Sequence, residues 1–80
     1  MKVTVKYFAS IRETIGVSSE SLVSTAPTLA ALRDELIALG GSHAESLARG
    51  RAVRLALNQG MRDESAALRA GAEVAFCPPV

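Results

Sequence analysis

Several short segments of the chain alternate apolar and polar residues, the spacing of β-strands that bury one face. The alternation is clearest at 2–8, 53–58 and 73–77, and a weaker pattern at 18–24 predicts another strand. Residues 61–64 are predicted to form a short edge strand. The positions predicted to face the core are Val3, Val5, Tyr7, Val53, Leu55, Leu57, Val74 and Phe76. The positions predicted to face the other way are Thr4, Lys6, Phe8, Arg54, Ala56, Asn58 and Cys77.

Leucines spaced three, four and three residues apart predict the main helix, because this spacing places them on one helical face. They are Leu29, Leu32, Leu36 and Leu39. Thr28 is a suitable N-cap, and the glycines at 40–41 are expected to end the helix. Residues 33–35 are charged and are expected to face mostly away from the leucines.

A second, shorter helix is predicted after the first strand. Ser10 and Glu13 have the spacing of a capping box, in which each side chain accepts the other residue's amide. Ile11 and Ile15 would then share one face, and Gly16 would end the helix. Residues 42–51 are less regular; Leu47 is expected to anchor one helical turn, with His43 in a surface loop.

The predicted order is strand, short helix, strand, helix, strand, short strand, strand, which is an α+β arrangement. A long helix crossing a mixed sheet, with the last strand returning beside the first, favours a β-grasp (ubiquitin-like) fold. Eighty residues suffice for one small domain. We therefore expect a single β-grasp domain over 1–80.

Composition narrows the classes of partner and site. Nine basic and eight acidic residues leave the chain nearly neutral, without a basic run, so nucleic acid and membranes are poor partner candidates. One cysteine and one histidine exclude a disulfide framework and offer too few ligands for a zinc site. The first six residues are charged and alternating, unlike a signal peptide, and a cytoplasmic location is expected.

The last segment combines a strand with two prolines. Pro78 and Pro79 cannot donate sheet hydrogen bonds and restrict φ, so the chain should leave the sheet as a stiff, extended C-terminal arm at 77–80. Cys77 has no adjacent His or Lys in the sequence that would activate its thiol, so we interpret it as a small apolar residue rather than a nucleophile.

Four sequence pieces, in order, resemble the MoaD family, the small subunits of molybdopterin synthase. They are YFASIRE at 7–13, TLAAL at 28–32, ALNQ at 56–59 and GAEVAFCPPV at 71–80. The resemblance spans essentially all of the chain. It implies a β-grasp sulfur carrier of molybdenum cofactor biosynthesis, acting inside a heterotetramer, that donates sulfur without being the main catalyst.

The resemblance also implies partners and a working end. A MoeB-like enzyme would use ATP to adenylate a C-terminal glycine, which becomes a thiocarboxylate and transfers its sulfur to cyclic pyranopterin monophosphate in a MoaE-like large subunit. No bound cofactor or metal is expected. The sequence stops at Val80, so the glycine is expected beyond it, and no catalytic residue is expected within 1–80.

The partner-binding residues implied by the strand pattern and the resemblance together are Phe8, Met61, Cys77, Pro78, Pro79 and Val80. Two alternatives remain at this point. The chain could be a ubiquitin-like binding module without acyl chemistry, or a sulfur carrier for another pathway, such as that of thiamine or the tungsten cofactor.

Overall fold

Five strands and three helices make up the computed structural model, which describes residues 1–79. The strands are β1 (Lys2–Tyr7), β2 (Ser19–Val23), β3 (Arg54–Leu57), β4 (Gly60–Arg62) and β5 (Glu73–Cys77). The helices are α1 (Ala9–Ile15), α2 (Leu29–Ala38) and α3 (Gly41–Leu47).

The strands form one mixed sheet in the order β2-β1-β5-β3-β4. The first and last strands pair in parallel, with Val5 opposite Val74 and Tyr7 opposite Phe76. All other neighbours are antiparallel. This is the β-grasp arrangement, and the fold prediction is confirmed.

One face of the sheet carries the hydrophobic core. Tyr7 and Phe76 are essentially fully buried and stack with ring centroids 6.2 Å apart. The α2 leucines at 29, 32 and 36 are equally buried and belong to the same cluster. Burial of these large side chains supplies most of the hydrophobic stabilisation, at about 25 cal/mol per Å² of apolar surface.

The main helix begins as predicted and ends one residue early. The Thr28 hydroxyl accepts the Ala31 amide at 3.2 Å, which is the expected N-cap. Leu39 was expected on the buried stripe, but it is the C-cap residue and is 62% exposed. The helix ends at Ala38, and Leu39 keeps helical dihedrals but lies at the exposed end of the helix, past the last buried leucine at position 36.

The predicted capping box at Ser10 is wrong. Helix α1 is capped by Phe8, without a side-chain hydrogen bond, and the Phe8 carbonyl accepts the amides of Ile11 and Arg12. The Phe8 amide still donates to Phe76 at 3.1 Å, so the chain turns from strand to helix at Ala9, which has φ +49°. Ser10 is thereby already inside the helix.

The region after α2 is more ordered than its sequence indicated. Gly40 and Gly41 have positive φ, as expected at a helix end, but Gly41 also begins α3. Leu47 anchors this helix in the core, as predicted. His43 lies within α3, half-buried, and its prediction as a surface-loop residue is wrong.

A buried arginine holds the irregular backbone that follows α3. Arg33 was expected to face mostly away from the core, yet it is only 4% exposed. Its Nε donates to the Leu47 carbonyl at 2.8 Å, and its Nη2 donates to the carbonyls of Ala48 and Arg51 at 2.9 and 3.0 Å. The guanidinium therefore donates hydrogen bonds to three carbonyl groups that accept none from a strand or helix.

A second arginine makes similar contacts at the surface. Arg49 donates to the carboxylates of Asp34 and Glu64 and to the carbonyl of Ala30. Its side chain is 44% exposed. Water competes for these contacts, so they contribute less than those of Arg33.

We expect Arg33→Met to lower the free energy of unfolding by about 2–4 kcal/mol, because it leaves the carbonyls of Leu47 and Arg51 without a donor and removes one of the two donors to the Ala48 carbonyl. Methionine keeps most of the aliphatic stem and isolates the loss of the guanidinium. Urea unfolding followed by circular dichroism measures the change. The matched variant Arg49→Met should cost less than about 1 kcal/mol. Equal losses for the two variants would contradict the assignment.

Candidate docking face

The sheet face opposite the core is not covered by any element of residues 1–79. We call it the open face. The strand register places Ala75, Ala56 and Met61 in one row across β5, β3 and β4. Ala56 is buried although it lies on this face, between β5 and the edge strand β4. Met61, on the edge strand, is 54% exposed.

Phe8 continues the alternation of β1 onto the open face. Its backbone is extended, with φ −126° and ψ 153°, and its side chain is 45% exposed. Tyr7 is opposite Phe76, so Phe8 follows beside Cys77, which is half-buried at the end of β5. The fold therefore brings Phe8 and Cys77 together, as the alternation predicted.

Met61 shares the face but lies farther away. It pairs with Ala56 on the far side of β3, which places it two strand spacings, about 10 Å, from β5. Phe8, Met61 and Cys77 are named the docking patch below. Three apolar side chains spread across such a distance suit a broad protein contact better than a small-molecule pocket.

The arm leaves the sheet beside this patch. Pro78 follows Cys77 directly and is half-buried, whereas Pro79 is exposed. Val80, the remaining predicted site residue, lies outside the described residues. The arm therefore begins at the C-terminal end of β5, beside the C-terminal end of β1 that Phe8 follows.

Charged residues border the apolar part of the open face. Lys6 and Glu73 form an ion pair at 3.3 Å across β1 and β5. Arg54 begins β3 and pairs directly opposite Cys77. The β1–β2 half of the same face is mostly polar, with Thr4 opposite Ser21, although Val23, opposite Lys2, is an exposed apolar side chain there. The apolar half, with Phe8, Cys77 and Met61, has Arg54 at its margin.

A polar cluster that the sequence gave no sign of lies where the core meets α3. The hydroxyl of Tyr7 donates to Glu20 Oε2 at 2.6 Å, and Nε2 of His43 lies 2.6 Å from the same oxygen. The Tyr7 and His43 rings meet edge to face, with centroids 6.0 Å apart. One carboxylate oxygen thus joins β1, β2 and α3.

This cluster shifts the pKa values of two of its members. Burial, and then the hydrogen bond and negative charge of Glu20, raise the pKa of Tyr7 far above its usual range. Partial burial tends to raise the pKa of Glu20, but the hydrogen bonds from His43 and Tyr7 outweigh it and lower that pKa. Glu20 lies opposite the buried Val5, and Tyr7 is itself buried in the core, so this cluster lies on the core side of the sheet and not on the docking patch.

Within the part of the chain that the structure describes, no three His, Cys, Asp or Glu side chains lie close enough to hold a metal ion. No helix among residues 1–79 is long and apolar enough to cross a membrane.

Comparison with known proteins identifies the family. The model of the ThiS family matches residues 5–80. The chain belongs to the ThiS family. Two curated relatives are each named molybdopterin synthase sulfur carrier subunit. The Haemophilus influenzae protein is 37% identical over 76 residues, covering 95% of this chain and 93% of the relative. The Escherichia coli protein is 35% identical over 78 residues, covering 98% and 95%.

Solved structures agree with the fold. The crystal structure of SAMP1 from Haloferax volcanii superimposes with a TM-score of 0.80 at 22% identity, covering 100% of this chain and 97% of that one. At this identity the likeness concerns the fold alone. A second match is a chain in the complex of subunits 1 and 2 of molybdopterin-converting factor from Helicobacter pylori. It superimposes with a TM-score of 0.71 at 27% identity, and the match covers 100% of this chain and 96% of that one.

The lowered pKa of Glu20 predicts how stability responds to acid. A carboxylate whose pKa is lower in the folded state contributes stability above its unfolded pKa, near 4.5, and loses it as the pH falls through the folded value. We therefore expect the stability difference between the unaltered protein and Glu20→Gln to be largest above about pH 5 and to shrink toward pH 3.

Urea unfolding at a series of pH values measures this difference. The control is Glu13→Gln, which removes an exposed carboxylate on α1 for which no hydrogen bond is found within residues 1–79. The control should show a much smaller pH-dependent difference. A difference in the free energy of unfolding between the unaltered protein and Glu20→Gln that does not change with pH would contradict the role of this carboxylate.

Proposed function

We propose that this protein is the sulfur carrier of molybdenum cofactor biosynthesis and delivers sulfur from its C-terminus to a molybdopterin synthase large subunit. The single observation that carries the proposal is near full-length identity of 35–37% to two proteins named molybdopterin synthase sulfur carrier subunit. The position of the arm beside an uncovered apolar face supports it. The names of these relatives favour this pathway over thiamine or tungsten cofactor synthesis.

The chemistry requires a carboxylate at the end of a slender arm. A MoeB-like enzyme would bind ATP; the terminal carboxylate oxygen attacks the α-phosphorus, and pyrophosphate leaves. A sulfur nucleophile then attacks the acyl carbon, AMP leaves, and a thiocarboxylate remains. We place this carboxylate on a glycine beyond Val80, since glycine has no side chain to obstruct a narrow active site. No residue within 1–80 takes a catalytic role.

The domain itself binds the partner protein and directs the C-terminal arm toward it. Pro78 and Pro79 restrict the arm before it binds, so less conformational entropy is lost when it enters the partner. The docking patch, with the arm, would contact the large subunit in a cytoplasmic heterotetramer, and the MoeB-like enzyme would use the same surface at another time. The 1–80 domain needs no resident cofactor for this role.

We expect the encoded full-length protein, purified after co-expression with its adenylating enzyme and sulfur source, to carry a C-terminal glycine thiocarboxylate. Intact mass spectrometry would detect the exchange of one oxygen for one sulfur, and fragmentation would locate it. Cys77→Ser should acquire the same modification, because the thiol is not the sulfur-bearing group. A protein that binds its partners but never acquires the sulfur would instead be a ubiquitin-like binding module.

We expect Phe8→Asp to weaken binding to the large subunit at least about 30-fold, because a charge would be buried at the centre of an apolar contact. Isothermal titration calorimetry measures the affinity, and circular dichroism checks the fold. The matched control is Leu39→Asp, which charges a more exposed apolar residue (62% against 45% for Phe8) at the end of α2, away from the open face. Unchanged affinity for both partner proteins after Phe8→Asp would remove the docking patch from the proposal.

A further inference from the structure

A groove of about 470 Å³ adjoins the docking patch at the β3–β4 edge. Met61 lines it and also belongs to the patch, so the two surfaces are continuous. Val53 and Leu55 supply further apolar lining. Two arginines line the groove as well: Arg54 beside Cys77, and Arg62 on the edge strand opposite Leu55.

The acidic residues of the groove are already engaged. The Glu64 carboxylate accepts from Arg49 and, at 3.5 Å, from Arg33. Asp63 accepts the amide of Ser65 at 2.8 Å and also its hydroxyl. These hydrogen bonds lower the pKa of Asp63, with a smaller contribution from the charge of Arg62. Both carboxylates therefore have local donors.

The two arginines of the groove, unlike its carboxylates, have no such hydrogen-bond partners among residues 1–79. Among residues 1–79, neither Arg54 nor Arg62 makes an ion pair within 4.0 Å or a side-chain hydrogen bond of the kinds described above. Each guanidinium offers five N–H donors in a planar fork that suits a carboxylate. The unused hydrogen-bonding capacity of the groove is thus cationic, and it lies at the margin of an apolar contact surface.

We propose that this groove receives an acidic side chain of the synthase large subunit when that subunit covers the docking patch, with Arg54 as the donor, because Arg54 lies on the open face opposite Cys77 whereas Arg62, opposite the buried Leu55, lies on the other side of the sheet. This rests on the proposed function. A single carboxylate fits better than a phosphate-rich ligand, because Asp63 and Glu64 on the rim would repel a polyanion. The aliphatic lining accommodates the methylene groups of the entering side chain.

An ion pair at the margin of an interface affects association more than dissociation. It raises the association rate and fixes the orientation of the partner, and added salt weakens both effects. The apolar patch should supply most of the affinity, while the groove would set how the small subunit is rotated on its partner. Correct rotation matters because it directs the arm.

The test compares Arg54→Met and Arg62→Met with the unaltered protein, using both full-length subunits and surface plasmon resonance. At about 0.05 M salt we expect Arg54→Met to bind about 3- to 10-fold more weakly, mainly through a slower association rate, and Arg62→Met, on the other side of the sheet, to show a smaller loss. At about 0.5 M salt the differences should shrink to less than about twofold. Methionine preserves the stem of each arginine, so the fold should be retained.

The matched control is Arg69→Met, which removes an exposed arginine from the segment before β5, at the end of that strand remote from Cys77. It should stay within about twofold of the unaltered protein. Binding of Arg54→Met within about twofold at low salt, while Phe8→Asp still weakens binding at least about 30-fold, overturns the groove and leaves the proposed function intact. If the unaltered subunits form no complex, both proposals fail.

Discussion

Parallel pairing of β1 with β5 is the constraint on which the other features of this molecule depend. It places Tyr7 against Phe76 in the core and, one residue later, Phe8 beside Cys77 on the open face. The two strands come from opposite ends of the chain, so closing this pair costs considerable entropy, which burial of the aromatic residues offsets. The same register thus determines both the stability of the domain and the composition of its contact surface.

Polar side chains compensate where the regular hydrogen-bond pattern ends. Between α3 and β3 the regular hydrogen bonds of helix and sheet are interrupted, and Arg33 supplies donors to carbonyls of this segment from the adjacent helix. Near the start of α3, the carboxylate of Glu20 joins Tyr7 and His43 through hydrogen bonds. Both sets of hydrogen bonds are partly or wholly buried, where loss of one partner would lower stability. Charged residues therefore contribute to the interior as well as to the surface of this small domain.

The sequence predicted the strands and the main helix, because alternation and leucine spacing are local signals that burial reinforces. It favoured the β-grasp fold but did not establish that the first and last strands pair in parallel, because alternation carries no information about strand direction. It also predicted that Phe8 and Cys77 share a face, since parity along a strand determines this. It failed at Ser10, where the Phe8–Phe76 hydrogen bond fixes the turn, and at Leu39, which lies just past the helix end. The roles of Arg33 and His43 depend on partners many residues away, and no local pattern could indicate them.

The contacts of Arg33 have a consequence for the order in which the protein assembles. Its three carbonyl acceptors lie 14, 15 and 18 residues later in the chain, so this loop can take its final shape only after α2 and α3 have packed together. Helix pairing over short separations is fast, whereas sheet closure over the whole chain is slow. We therefore expect the helical layer to form first and to hold the entrance of β3 in place, so that the last strand adds to an already positioned edge.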